Sequence, residues 1–145
     1  MTAQLTALTL RHVDPAKLLL ERDYPQNDSP PSWYEGMSEG SATVRGWTNG
    51  SVLATLETRF HRPDLMYVGV AVTGLYANDE QAAQGHQGDV DSSTLDEATD
   101  DEKSVFIEKA LIDLYPMLRA ELQILSGRFS GIPGISLQPT PSLNS

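Results

Sequence analysis

The sequence predicts an α+β fold, a four-stranded antiparallel sheet with one long C-terminal helix packed on it. Three observations carry that prediction. β-rich runs joined by short turns fill the first half of the chain, one continuous helical pattern fills 99–126, and apolar residues make up 39% of the 145, enough for one core. The chain is read as a single domain over 1–145, with 78–98 as an acidic flexible linker and 140–145 as a disordered tail.

The first run, 5–13 (LTALTLRHV), is rich in threonine and branched residues and reads as a strand. Asp14-Pro15 has the form of an N-cap followed by a first-turn proline, so 16–22 is either a short helix or a continuation of the strand through three leucines. In 24–40, Pro25, Pro30, Pro31, Gly36 and Gly40 surround Trp33 and Tyr34, a composition that predicts an ordered, irregular crossover and no helix. The runs 41–47 (SATVRGW), 51–61 (SVLATLETRFH) and 65–77 (LMYVGVAVTGLYA) are strands. The turns between them, Thr48-Asn49-Gly50 and Arg62-Pro63-Asp64, make them antiparallel neighbours.

In the middle run Val52, Ala54, Leu56 and Phe60 share one face and Thr55, Glu57, Arg59 and His61 the other, as in a half-buried strand. The last run is apolar on both faces. Met66, Val68, Val70, Val72 and Tyr76 point one way, but Leu65, Tyr67 and Leu75 point the other, so something is expected to cover part of that second face.

The stretch 78–98 carries six acids and no lysine or arginine and is poor in large apolar groups, which predicts a solvated linker. Thr99-Asp100-Asp101-Glu102 then has the capping-box form that opens a helix, with three carboxylates at the positive end of its dipole. Ile107, Leu111, Leu114, Leu118, Leu122 and Leu125 mark an apolar stripe, Pro116 is expected to kink the helix, and Gly127 stands where a left-handed terminal residue would. At ~1.5 Å per residue the helix is roughly 40 Å long, more than one small sheet needs for cover. Phe106, Ile112, Tyr115 and Ile124 lie off the stripe, so a second face is partly apolar too, and the helix is expected between layers or subunits, with Ile107, Leu111, Leu118 and Leu122 at an oligomer interface.

A net charge of −10 repels a phosphate backbone and excludes nucleic acid as a natural partner. The absence of cysteine excludes disulfides, thiolate zinc sites and cysteine nucleophiles. The N-terminal residues lack the form of a signal peptide and no apolar run approaches a membrane span, so the expected protein is soluble and cytoplasmic, with no membrane insertion.

No constellation assembles an enzyme, and neither catalytic residue nor cofactor nor metal is expected. Gly36-Met37-Ser38-Glu39-Gly40 matches the nucleophile-elbow pattern, but a proline-rich loop precedes it and a strand follows, where that chemistry needs strand then helix. His12, His61 and His86 lack metal or triad spacing. Asp89, Asp91, Ser93, Leu95, Glu97 and Asp100 follow calcium-loop spacing, yet Thr94 replaces the turn glycine and Asp100 the bidentate glutamate.

The chain's ending is its most specific feature: Leu114-Tyr115-Pro116, Leu118-Arg119, Leu125-Ser126-Gly127-Arg128-Phe129, then Pro133, Leu137 and Pro139. It resembles the SecB and SecB-like chaperones, whose helix carries an aromatic-proline step, an arginine, a small residue, a Gly-Arg or Arg-Gly pair and then a proline-leucine segment. The likeness is strongest to SecB-like members without the zinc tail, including those paired with toxin-antitoxin systems. It implies an ATP-independent holdase, a homotetramer built as a dimer of dimers with its long helices between two sheets. Unfolded polypeptides or preproteins would be held in apolar grooves beside the crossover, serving protein export or toxin-antitoxin control. On that resemblance Trp33, Tyr34 and, on the adjoining strand, Trp47 are the peptide-binding residues; the alternative is that all three fill the core. Zinc-tailed members dock the export motor ATPase through the tail, a route closed to a chain without cysteine, so the acidic linker or the sheet face would have to bind a motor ATPase or an antitoxin. Two other readings stand beside this one: an oligomeric adaptor for a single partner, and a weak calcium-binding protein.

Overall fold

The computed structural model describes residues 5, 7–26, 29–46, 50–84, 93–129, 131 and 133–139. Its strands are β1 (Thr9–Arg22), β2 (Gly40–Gly46), β3 (Val52–Arg62) and β4 (Met66–Ala77), its helices α1 (Ser32–Glu35), α2 (Asp79–Gln84), α3 (Ser93–Glu97) and α4 (Asp100–Ser126). The four strands form one antiparallel sheet in the order β1-β4-β3-β2, with α4 across one face. This is the predicted α+β architecture. No helix among the described residues is long and apolar enough to cross a membrane.

The segment 16–22 continues the strand. Register shifts between Leu10 and His12 and between Pro15 and Lys17 place bulges in β1, and a bulge on an edge strand is where a sheet tolerates proline. The crossover departs from expectation in containing one helical turn, α1, in which the amides of Tyr34 and Glu35 donate to the Pro31 carbonyl at 3.0 and 3.3 Å. Pro31 itself is extended (φ −58°, ψ 148°), and proline supplies the acceptor at a helix start where no donor is required. The stretch read as a linker also holds two short helices. Asn78 and Gln81 exchange side-chain to main-chain bonds of 2.9 and 2.8 Å, a capping box that opens α2 and that the surrounding acids obscured in the sequence. Residues 85–92, with His86, Asp89 and Asp91, lie outside the described residues.

The core sits between α4 and the inner face of the sheet. Val68, Val70, Val72 and Tyr76 of β4 and Val52, Ala54 and Leu56 of β3 meet Phe106, Ala110, Leu114, Leu118 and Leu122 of α4. The buried helix positions fall every fourth residue, a ridge inclined to the helix axis, so α4 crosses the sheet obliquely and reaches all four strands. Tyr76 is fully buried with its ring edge-on to Phe106 (4.9 Å), and its hydroxyl donates to Asp113 at 2.8 Å. Burial and then that bond push the hydroxyl far above its ordinary range, so it remains a donor.

The start of α4 is the predicted capping box: Thr99 accepts from the Glu102 amide at 3.2 Å and donates to its carboxylate at 3.0 Å. Its end differs. Gly127 is not left-handed (φ −87°) but closes the helix by donating to the Gln123 carbonyl at 3.1 Å. The chain then turns back along α4. Ser126 Oγ accepts from the Ile135 amide (2.6 Å), Arg119 donates to the Leu137 carbonyl (3.0 Å) and Tyr115 to the Gln138 carbonyl (2.7 Å).

Gly74 is what lets α4 close on the sheet, because a Cβ there would stand 2.6 Å from Leu114 Cδ2 and 3.0 Å from Leu10 Cδ1. Both neighbours are packed against the core and cannot swing away. Gly74→Ala is therefore expected to cost about 1–3 kcal/mol as overpacking, read as a lower midpoint in urea unfolding with an unchanged slope.

Candidate peptide-binding face

Side chains alternate along a strand, so the register defines the outer face, away from α4, row by row: Glu21, Tyr67 and His61; then Leu19, Gly69 and Arg59; then Lys17, Ala71 and Glu57. The crossover lies over these rows. Met37 (5% exposed) and the Trp33 ring seat on Gly69, where a Cβ would meet Met37 Cε at 2.9 Å and Trp33 Cζ3 at 3.0 Å. This is the cover that the second apolar face of β4 required.

Tyr34 holds the aromatic group together. It is edge-on to Trp33 (6.0 Å), to Tyr67 (5.0 Å) and to His61 (6.2 Å), while His61 stacks flat on Tyr67 at 4.1 Å. The Arg59 guanidinium lies 4.4 Å from the Tyr34 ring centre and donates to the Tyr34 carbonyl, an anchorage that its planar, fork-shaped group suits. Glu57 accepts from the Ser38 amide at 2.7 Å, and Thr58 donates to the Glu39 carbonyl at 3.0 Å. Polar residues of β3 thus hold the crossover by its main chain, which leaves its aromatic side chains at the surface of the layer.

Asp23 closes the lower edge. Its own amide donates to the Leu65 carbonyl (3.1 Å), and its carboxylate accepts from the Asp64 amide (2.9 Å) and from His61 Nε2 (2.7 Å), the nitrogen that must carry the hydrogen opposite an ionised acid. Asp64 has a left-handed backbone (φ 63°), so its amide needs this acceptor to hold the β3–β4 turn. The bond from His61, then that from Asp64, holds the Asp23 carboxyl below its ordinary range against the opposing effect of burial. Burial and the charge of Asp23 push the Tyr67 hydroxyl up.

Trp33 and Tyr34 meet edge-on as half-buried members of an outer layer and stand apart from the main core. Trp47 lies outside the described residues. The sequence puts Arg59 on this face of β3 but does not mark Met37 and Gly69 as belonging to it; the available signal is the glycine amid the bulky residues of β4. The elbow serine, Ser38, stands between one helical turn and an edge strand, its hydroxyl accepting from the Gly40 amide. His61 stands between the Asp23 carboxylate and the rings of Tyr67 and Tyr34.

The helix interface needs a correction. Leu118 (3% exposed) and Leu122 (fully buried) are packed inside the chain's own core, because the buried ridge turns with each fourfold step and carries them under the sheet. Ile107 and Leu111 are half-buried at its flank. The large aliphatic side chains that α4 leaves to solvent are Val105 (61%), Ile112 (58%) and Ile124 (60%).

No protein-family model matches this sequence, and no curated protein sequence matches it. Among solved structures, the SecB-like chaperone Rv1957 of Mycobacterium tuberculosis, in complex with a ChAD peptide from the Rv1956 HigA1 antitoxin, matches with a TM-score of 0.60 at 16% identity, over 97% of this chain and 96% of that one. The likeness shows that the fold is SecB-like.

Because the folded state holds Asp23 more acidic than the unfolded chain does, its contribution is complete above the ordinary carboxylate value of 3.8 and is lost as pH falls through the lower, folded value. Asp23→Asn should therefore melt below the wild type at pH 7, with the gap closing under pH 3.8. Thermal melts across pH 2–7 check it, and a constant gap would remove Asp23 from the turn's support.

Proposed function

We propose that this protein is an ATP-independent holdase that binds unfolded or non-native polypeptides on the crossover face. The carrying observation is the aromatic layer of Trp33 and Tyr34, seated on Gly69 and Tyr67 within a SecB-like fold and held from beneath by Arg59 and Glu57. Aromatic side chains fixed by their backbone and left half-open are suited to gripping apolar segments at small entropic cost. Trp47, next to the end of β2, belongs to the same proposal, which includes no catalytic role and no cofactor. The antitoxin peptide bound to the structural neighbour favours an antitoxin segment as one client. The competing reading, an adaptor for a single partner, differs in that it would ignore a generic unfolded protein.

The assembly we propose is a homotetramer, a dimer of dimers. On α4, Ile112, Pro116, Ala120 and Ile124 form an exposed, uncharged ridge at fourfold spacing, with Ile107 and Leu111 along its flank, the surface by which one helix packs on another. The cytoplasm, where export clients and antitoxins are made, is the compartment proposed.

The protein should suppress light scattering by a generic denatured client without nucleotide. Trp33→Ala with Tyr34→Ala should abolish suppression while costing about 1–2 kcal/mol, less than the roughly 3–5 of a fully buried aromatic. Full suppression by a folded double variant would place the clients elsewhere, and no suppression by the wild type would sink the holdase itself. Separately, Ile112→Lys with Ile124→Lys should lower the mass measured by sedimentation without altering secondary structure. An unchanged mass would free the ridge from any role in assembly.

A further inference from the structure

The segment 133–139 lies along α4 without regular secondary structure, and the helix holds it by its main chain. Ser126, Arg119 and Tyr115 bond the Ile135 amide and the Leu137 and Gln138 carbonyls, and the only side chains turned inward are Ile135 (7% exposed) and the half-buried Leu137. Ser136 and Gln138, between and after them, are exposed. What this seat recognises is thus an extended backbone with aliphatic side chains two residues apart, features that the tail shares with many unfolded sequences. The segment itself, PGISLQP, carries no charge.

We infer that this seat is a second peptide-binding site, with the chain's own C-terminal segment as resident occupant and an extended, uncharged stretch of a non-native polypeptide as its exchangeable ligand. It belongs to the helix layer, across the sheet from the crossover face. In naming a non-native polypeptide as ligand it rests on the holdase reading; the seat itself does not. A segment tethered this closely competes at an effective concentration on the order of millimolar. A free peptide therefore meets only the fraction of molecules whose seat is open, and its apparent affinity falls by that fraction.

Two substitutions loosen the resident segment and leave Tyr115 and Arg119 in place. Leu137→Ser removes an inward side chain, and Gly134→Ala sets a Cβ into the Gln123 carbonyl oxygen. A fluorescent peptide of residues 133–139 should bind either variant at least ~10-fold more tightly than the wild type. Binding should be lost when Tyr115→Phe and Arg119→Met are added, or when serine replaces both aliphatic residues of the peptide. In the wild type, the Ile135 amide should exchange with deuterium well before the core amides of α4.

Three results would overturn the proposal. They are no binding by a loosened variant that melts cooperatively, equal binding by loosened and wild-type protein, and Ile135 exchange through global unfolding alone. Binding accompanied by concentration-dependent dimerisation would identify the occupant as another copy's tail and overturn the client assignment. Failure of the crossover variant to lose aggregation suppression, with peptide binding here intact, would count against the crossover reading alone.

Discussion

The central strand β4 is covered on both faces, and the rest of the structure follows from that constraint. Its inward valines and Tyr76 accept α4, and its outward Tyr67 and Gly69 accept the crossover. A strand so enclosed, with only Thr73 and Leu75 of its residues partly open, has little solvated surface to absorb misfit, so each covering element must approach closely. Two glycines on opposite faces permit it: Gly74 admits Leu114, and Gly69 admits Met37 and Trp33. A side chain at either position would have to displace those neighbours.

The two layers are held by different physics. Between α4 and the sheet the contact is apolar, aliphatic side chains around the Tyr76–Phe106 ring pair, with the hydrogen bond from Tyr76 to Asp113 inside it. Between the crossover and the sheet it is a mixed surface of aromatic rings, one stacked histidine and hydrogen bonds to the crossover's main chain. The first arrangement gives stability and little else. The second fixes a loop by its main chain and leaves Trp33 and Tyr34 half-buried at the surface.

Helix α4 serves three directions at once. One ridge is buried under the sheet, a second carries Tyr115 and Arg119 to the returning tail, and a third leaves Ile112 and Ile124 to solvent. This division accounts for the ending that resembles SecB-like chaperones. The tyrosine and arginine bond carbonyls of the tail, the small Ser126 takes an amide that a larger residue would block, and Gly127 and Gly134 let two backbones meet at Gln123. The sequence pattern is the trace of a main-chain seat.

Local chemistry determined the elements that are legible in the sequence alone. Alternation set the faces of β3, Thr99 and Glu102 set the start of α4, and the surplus apolar face of β4 announced a cover before the cover was known. Each depends on residues within one or two turns of chain. The fate of 16–22 was different, because only pairing with β4 could choose strand over helix beside Pro15. The turn at Ser32–Glu35, the burial of Leu118 and Leu122 and the conformation of Gly127 were likewise decided by what lies opposite each of them. Arg59 and Met37 joined the crossover face for the same reason. Periodicity in a sequence says that a side chain will be buried, but the partner that buries it is named only when distant segments meet.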